Sequence, residues 1–209
     1  MRSVLLSTIR ASDMSSALPP ENERLQLPEG SIFSERLELR MVTYRDLHAL
    51  LKIHRVEEVN RYLPFETWRG MDDAEIWFDK VRQRHRDREA IQWVICDRTS
   101  GAICGSCILF GYEHDHERIE IGYGLGRHHW GRGVAREAVS RLISYAFDDM
   151  AVRRIDARVD PRNDASNGLL ERLGFTLEGR QRERQLLKGE LVDVNLWGLL
   201  RSRWPQAQK

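Results

Sequence analysis

Cysteine, net charge and long apolar runs are all scarce in this sequence. Its 209 residues include 3 cysteines, too few for a disulfide-stapled scaffold, and so small an odd number favours a reducing compartment. Lys and Arg number 33 against 32 Asp and Glu, so the formal net charge of +1 gives no overall field that attracts nucleic acid. A run of about 18 apolar residues, which could span a bilayer, is also missing. These absences predict a soluble cytoplasmic protein.

The length predicts one domain with a short appendage, since domains usually contain about 100–200 residues. Residues 1–30 include Pro19, Pro20 and Pro28, and we predict that they form a loosely ordered N-terminal arm. Residues 31–203 would form the domain, and residues 204–209 a C-terminal tail. The apolar stretch near the N-terminus is too short for the core of a signal peptide.

Hydrophobic periodicity and turn residues predict the element order β–helices–β–β–β–α–β–α–β–β. The alternation of apolar and polar residues over 36–41 is typical of a half-buried strand, and Lys188 with Gly189 predicts a turn between the last two strands. Two βα units are too few for a doubly wound Rossmann domain. We therefore predict an α+β domain around a central mixed, mostly antiparallel sheet.

Two of the early helices have recognisable local signals. Thr43 and Asp46 resemble a capping box, which satisfies backbone N–H groups at the start of a helix. A later helix, opening near residue 72, would bury Ile76, Trp77 and Val81 in one apolar stripe.

Cys104 and Cys107 have the spacing of a redox or zinc pair, but they lie within a predicted strand. Residues three apart in a strand point to opposite faces, with Cα atoms about 10 Å apart, and a disulfide needs about 7 Å or less. We therefore predict that these cysteines are free. Residues 113–117 contain two histidines and three acids, but one solvated loop is not the separated ligand set typical of metal sites. We predict no metal.

A pair of glycines stands where a strand leads into a helix. The pattern predicts a strand over residues 118–125 and a helix over 133–149. Gly131 and Gly133 lie at the start of that helix, where unpaired N–H groups and the helix dipole bind phosphate, and glycine allows a close approach. The sequence has neither a P-loop lysine nor the spacing of a Rossmann fingerprint. The residues alone leave open a phosphate site of another type.

Residues 130–135 resemble the Q/R-x-x-G-x-G/A signature of the Gcn5-related N-acetyltransferase (GNAT) superfamily, with Trp130 where Gln or Arg is usual. Other segments resemble the branch that acetylates the N-termini of ribosomal proteins. These segments are residues 34–40, 120–123, 163–166 and 173–175, together with Asp193. They occur in the expected order over residues 33–200, and the ordered set carries more weight than any one motif.

The resemblance implies a GNAT fold, in which helices flank a sheet that is splayed into a V. The V would open where residues 123–125 diverge from a strand at 154–159. Acetyl-CoA would be the co-substrate, with its pantetheine arm along the backbone of one V strand and its pyrophosphate at the helix start. The implied acetyl-CoA site consists of Tyr123, Leu125, Trp130, Gly131, Arg132, Gly133, Val134, Ala135 and Asn163.

Acetyl transfer to an amine needs a base for the amine, donors for the carbonyl oxygen and, less strictly, a proton donor for the leaving thiolate. Many relatives use a tyrosine as the acid where this chain has Leu170. In the ribosomal branch a serine that matches Ser166 takes that role. Glu120 is the candidate base, because acids on its strand serve as bases in several relatives, and Glu183 is a second candidate. Asp193 would position the amine or act as a structural hydrogen-bond partner.

We predict an acetyl-CoA-dependent N-acetyltransferase that acts on a primary amine, first of all the N-terminal α-amine of a ribosomal or other protein. With a pKa of about 7.7–8, such an amine deprotonates readily. Three alternatives stay open: an acetyltransferase for aminoglycosides or polyamines, a non-catalytic acyl-CoA sensor, and RNA binding through the basic residues of 82–88. A homodimer is an expectation from the family alone, and no membrane partner is expected.

Overall fold

Eight strands and five α-helices build residues 24–204, the part of the chain that this computed structural model describes. The strands are β1 (Ile32–Phe33), β2 (Leu37–Met41), β3 (Ala90–Asp97), β4 (Ile103–Glu113), β5 (Arg118–Leu125), β6 (Arg154–Val159), β7 (Thr176–Leu187) and β8 (Glu190–Leu200). The helices are α1 (Leu47–His54), α2 (Glu57–Asn60), α3 (Met71–Arg86), α4 (Val134–Asp148) and α5 (Asp164–Arg172).

All eight strands belong to one sheet, in the order β1-β2-β3-β4-β5-β6-β8-β7. Each neighbouring pair is antiparallel except β5 and β6, which are parallel. The prediction of an α+β domain around a mixed, mostly antiparallel sheet is therefore confirmed. Lys188 and Gly189 form the tight turn between β7 and β8, both with positive φ (50° and 86°).

The sheet opens into a V between β5 and β6. The two strands pair only at their first residues, where Arg118 to Glu120 lie opposite Arg154 to Asp156. Beyond Glu120, β5 stays paired with β4 as far as Leu125, while β6 stays paired with β8. The predicted divergence of these two strands is confirmed, and it leaves a gap between them.

The two faces of the sheet carry different helices and separate apolar cores. Alternation along β3 makes the division clear. Trp93 and Ile95 belong to a core shared with Leu142 and other residues of α4 and with α5. Val94 and Cys96 point the other way, into a second core shared with α1 and α3. The V therefore has an α4 and α5 side and an α1 and α3 side.

The local helix signals are confirmed at one helix and corrected at another. Thr43 donates from both its N–H and its Oγ1 to the Asp46 carboxylate, at 2.7 and 3.0 Å, so the capping box forms before α1. In α3, Trp77 and Val81 face the core, but the prediction that Ile76 joins them is wrong, since Ile76 is 57% exposed. At about 100° per residue, Ile76 lies about 140° around the helix from Val81. Ala74 occupies the buried stripe instead.

The packed structure extends beyond the ends assigned to the domain from sequence. Leu25 is 1% exposed and belongs to the core beneath α4, although the sequence placed it in the arm. Trp204, which the sequence placed in the tail, packs near Phe147 with ring centroids 6.5 Å apart. The rest of the predicted arm and tail, residues 1–23 and 205–209, lies outside the described residues.

Cys104 and Cys107 lie in β4, and both are buried and free, as predicted. Burial raises the pKa of Cys104 to about 11 and raises that of Cys107 as well, so both remain neutral thiols. The short 3-10 turn His114–His116 connects β4 to β5. Within residues 24–204, no helix is both long and apolar enough to cross a membrane.

Candidate active site

The gap of the V is lined by backbone groups of β5. The N–H of Gly126 donates to the carbonyl of Cys104 on β4 at 2.8 Å. Since N–H and C=O groups alternate between the two edges of a strand, those of Ile121, Tyr123 and Leu125 point the other way, into the gap. The strand therefore offers an open edge to an extended ligand.

The indole of Trp130 fixes the turn that follows β5. Its Nε1 donates to the Leu125 carbonyl at 2.9 Å, and the guanidinium of Arg127 lies 4.9 Å from its ring centroid. Arg127 is held in turn by Glu58 of α2, at 3.0 Å. The side chain at the first position of the signature thus has a structural role here that the motif did not reveal.

The glycine pair stands at the start of α4 as the sequence predicted. Gly133 is the residue that precedes the helix, with φ at +75°, and Gly131 has φ at +70°. Both conformations favour glycine. Gly131, Arg132 and Gly133 are exposed, and a side-chain atom added at Gly131 would meet no other atom within 4 Å. The first N–H groups of α4 are therefore accessible to an anion.

A brace from the N-terminal segment holds this loop against α4. Glu137, in the first turn of α4, accepts hydrogen bonds from Ser34 Oγ at 2.6 Å, from the backbone N–H of Arg36 at 2.7 Å and from Arg36 Nε at 2.6 Å. The same guanidinium donates to the carbonyl of Arg132 at 3.3 Å. Sequence reasoning missed this brace, because its partners lie about a hundred positions apart.

Glu120 forms a bidentate ion pair across the sheet with Arg158 of β6. Nη2 of Arg158 lies 2.5 Å from Glu120 Oε2, and its Nε lies 2.9 Å from both carboxylate oxygens. The Glu120 side chain is 16% exposed, and burial raises its pKa above the ordinary value although Arg158 opposes the rise. Glu120 shares a strand face with Gly122 and Gly124, on the α1 and α3 side of the sheet.

Ser166 and Tyr123 meet on the other side of the sheet, from opposite arms of the V. Ser166 lies in the first turn of α5, where its N–H donates to the capping side chain of Asn163 at 3.2 Å, so the predicted cap is confirmed. The Tyr123 hydroxyl is buried and makes no hydrogen bond of regular geometry, and the Ser166 side chain is near enough to influence its pKa. Burial raises the pKa of Tyr123 to about 12, and the Ser166 side chain opposes that rise.

Asn167, the residue after Ser166 in α5, joins this helix to β8. Sequence reasoning missed it. Its Nδ2 donates to the carbonyls of Asp160 and Asn163 at 3.0 and 2.9 Å. Its Oδ1 accepts from Asn195 Nδ2 and Trp197 Nε1 of β8, each at 3.0 Å. An asparagine inside a helix is unfavourable unless its amide has such partners, which is the signal that could have identified it.

Asp193 and Glu183 lie together on the β7–β8 hairpin. The Asp193 carboxylate accepts from Arg180 Nε at 2.7 Å and from the Glu183 N–H at 2.9 Å, and these bonds lower its pKa. Glu183 is exposed, with φ at +46°, within an irregularity of β7 between Gln181 and Gln185. This bulge interrupts the alternation of side chains between the two faces of β7.

The tip of this hairpin closes against the segment that contains α2. Lys188 Nζ donates to the carbonyl of Asn60 at 2.5 Å, and the Tyr62 hydroxyl donates to the carbonyl of Arg162 at 3.0 Å. A cavity of about 200 Å³ lies at this closure, lined by Arg61, Tyr62, Arg162, Leu187, Lys188 and Glu190. Leu63 follows, within 3.7 Å of where a side chain at Gly124 would begin, so this segment covers the Glu120 face of β5.

Comparisons with known proteins agree with this geometry. Residues 36–176 match the family model described as "Acetyltransferase (GNAT) domain". The "uncharacterized N-acetyltransferase p20" of Bacillus licheniformis is 32% identical over 174 residues, which cover 83% of this chain and 98% of that protein. The ribosomal protein uS5-alanine N-acetyltransferase of Escherichia coli K12 is 27% identical over 193 residues, covering 87% of this chain and 96% of its own.

The fold recurs in a solved structure of spermidine N-acetyltransferase from Vibrio cholerae in complex with CoA and spermine. Its TM-score to this chain is 0.71 at 24% identity, and the match covers 81% of this chain and 98% of that one. At this identity the likeness concerns the fold.

The ion pair of Glu120 yields the first prediction. In Arg158→Met the pKa of Glu120 should rise further above its ordinary value, because the opposing cation is lost while burial stays. An NMR titration of the Glu120 carboxyl carbon would measure this. Arg118→Met is the matched control: Arg118 also lowers the pKa of Glu120 but by less, so its loss should give a smaller rise. An unchanged pKa in Arg158→Met would contradict the assigned pairing.

Proposed function

This chain belongs to the GNAT acetyltransferase family, and we propose that it transfers the acetyl group of acetyl-CoA to the N-terminal α-amine of a protein. N-acetyltransferase activity is common to the family and to the named relatives. The observation that carries the proposal is the opened V, in which the free edge of β5 leads directly to the glycine pair at the start of α4.

Acetyl-CoA would lie along β5 as an added strand. Tyr123 offers its N–H and C=O to the pantetheine amides, whereas Leu125 offers chiefly its N–H, because Trp130 already donates to its carbonyl. The pyrophosphate would meet the N–H groups of Gly131, Arg132, Gly133, Val134 and Ala135, with the Arg132 side chain nearby. Asn163, whose Oδ1 caps α5, keeps its amide N–H groups for the pantetheine.

The proposed base and the proposed proton donor for the thiolate lie on opposite sides of the sheet. Glu120 lies on the α1 and α3 side, on the face of β5 that Leu63 covers at Gly124, and Ser166 lies on the α4 and α5 side. An amine that enters from the Glu120 side would attack a thioester held in the gap, and the sulfur would leave towards Ser166. Burial has already raised the pKa of Glu120, which suits a base that works near neutral pH.

The closure between the β7–β8 hairpin and the α2 segment would shape the site that receives the acceptor. Asp193 anchors the bulge that presents Glu183, so we assign both residues to positioning the acceptor from the hairpin side. An α-amine suits the reaction because its pKa of about 7.7–8 leaves much of it neutral. The similarity to an alanine N-acetyltransferase of ribosomal protein uS5 favours a protein N-terminus over a polyamine.

A panel of acceptors tests the proposed function. Purified protein with acetyl-CoA should acetylate peptides with a free N-terminal alanine or serine, and mass spectrometry should locate the acetyl group on the α-amine. The same peptides with a blocked N-terminus are the control. Faster turnover of spermidine or an aminoglycoside would show that the acceptor is a small amine and not a protein N-terminus. CoA binding without turnover of any amine would favour an acyl-CoA sensor.

The glycine pair gives a second test, which concerns acetyl-CoA alone. Gly131→Ala should reduce CoA affinity about tenfold, about 1.4 kcal/mol, because the methyl group obstructs the phosphate oxygens. Gly111→Ala is the matched control, since Gly111 also has positive φ (+63°) and open space around it but lies far along β4. Both variants should lose about 1–2 kcal/mol of unfolding free energy. Equal CoA affinity in the two, measured by calorimetry, would argue against the site.

The two assigned catalytic residues should differ in their effects. Glu120→Gln should lower kcat/KM by about 10²-fold or more, and most at low pH, where the amine is largely protonated. Ser166→Ala should lower kcat less, because a thiolate needs little acid help, and acetyl-CoA affinity should stay nearly constant. Rates measured across pH 6–9 would separate these outcomes. Full activity of Glu120→Gln across that range would transfer the base role to Glu183 or water.

A further inference from the structure

The guanidinium of Arg36 contacts both the loop that precedes α4 and the first turn of that helix. Its Nε donates to the Glu137 carboxylate at 2.6 Å, and its Nη1 donates to the carbonyl oxygen of Arg132 at 3.3 Å. Its Nη2 lies 3.4 Å from the position that the first side-chain atom would occupy at Gly133. One planar, rigid group therefore connects the helix to the peptide bond between Arg132 and Gly133.

The orientation of that peptide bond decides whether the loop attracts or repels an anion. In a trans peptide, the C=O of one residue and the N–H of the next point in opposite directions. Because the Arg132 carbonyl points to Arg36, the Gly133 N–H points away from Arg36. Within residues 24–204 this N–H donates to no other backbone group. It is therefore available to the pyrophosphate that we assign to this loop.

Gly133 does not fix this orientation by itself. Its φ is +75°, and glycine adopts positive and negative φ about equally readily. Rotation of the peptide plane would therefore cost the glycine little, and it would turn the Arg132 carbonyl oxygen towards a bound phosphate. A carbonyl oxygen repels phosphate, whereas an N–H attracts it. A group outside the loop has to select the orientation, and Arg36 is in place to do so.

We propose that Arg36 is a positioning residue for acetyl-CoA: held by Glu137, it fixes the Arg132–Gly133 peptide so that the Gly133 N–H faces the pyrophosphate. This inference rests on the acetyl-CoA site of the proposed function and adds to it a residue that lies just before β2. Glu137 also accepts from Ser34 Oγ at 2.6 Å and from the Arg36 N–H at 2.7 Å, so both ends of the Arg36 side chain are anchored. Arg36 acts through the peptide and not through its charge.

Two variants separate positioning from charge. Arg36→Lys keeps the positive charge but loses the fork that reaches Glu137 and Arg132 together. Its CoA affinity should fall about tenfold, the effect of losing one hydrogen bond to a charged group. Glu137→Ala removes a negative charge near the phosphate site, which by charge alone would strengthen CoA binding. We expect weaker binding instead, because Arg36 loses its anchor.

Calorimetry with CoA measures both effects, and Arg141→Met is the matched control. Arg141 also braces the N-terminal segment, since its Nε donates to the carbonyl of Phe33 at 2.9 Å, but it lies about two turns along α4. Its loss should change CoA affinity by less than about twofold, because a charge at that distance is screened. Wild-type affinity in Arg36→Lys, or tighter binding in Glu137→Ala, would overturn the proposal.

Dephospho-CoA locates the effect on the ligand. It lacks the 3′-phosphate of CoA but keeps the pyrophosphate, so its affinity should fall by the same factor as that of CoA in Arg36→Lys. Equal affinity of wild type and Arg36→Lys for dephospho-CoA would place the effect at the 3′-phosphate and overturn the proposal.

The orientation of the Gly133 N–H can also be measured without any ligand. In an aligned NMR sample, the N–H residual dipolar coupling of Gly133 should change in Arg36→Lys and Glu137→Ala but not in Arg141→Met. The couplings of β5 should stay constant in all three and so show that the sheet is intact. An unchanged Gly133 coupling in Arg36→Lys would overturn the proposal.

The outcome for the wild-type protein separates this inference from the proposed function. If the wild type binds no CoA, the proposed function fails and this inference fails with it. If the wild type and the two variants bind CoA equally well, only the role of Arg36 is overturned, and the acetyl-CoA site stands.

Discussion

The separation of β5 from β6 after Glu120 is the constraint on which the site depends. Parallel pairing at three positions joins the strands, and their divergence then leaves backbone groups of β5 without a neighbouring strand. Unpaired groups in the middle of a sheet are costly unless water or a ligand satisfies them. The same divergence separates Glu120 from Ser166 and places α4 with its glycine pair at the end of the open edge.

Arginine ion pairs hold the two arms of the V in position on the α1 and α3 side. Arg158 of β6 binds Glu120 of β5, and Arg118 of β5 lies 3.4 Å from Asp156 of β6. Arg154 continues the series to Glu178 of β7. Such pairs contribute modestly at a surface, but planar guanidinium groups with two bonds each restrict geometry. These pairs therefore set the width of the gap more than they set the stability of the fold.

Some polar groups around the gap are satisfied within the fold, and others are not. Asn167 uses both ends of its amide to join α5 to β8, and Asp193 is fully engaged in its hairpin. By contrast, the Tyr123 hydroxyl and the first N–H groups of α4 have capacity left over. Groups that are already paired hold the frame rigid, so that the remaining ones meet a ligand at fixed positions.

Local features of this protein were determined by the sequence itself. The capping box at Thr43, the cap of α5 at Asn163 and the glycines before α4 depend on residues within about four positions of one another, and all were predicted correctly. The order of helices and strands along the chain followed from hydrophobic periodicity and turn residues. Ile76 was misplaced because amphipathic patterns tolerate an exposed apolar residue. The pairing of Glu120 with Arg158 and the meeting of Tyr123 with Ser166 were decided by tertiary structure alone, because both depend on the register of separate strands and on where the sheet divides.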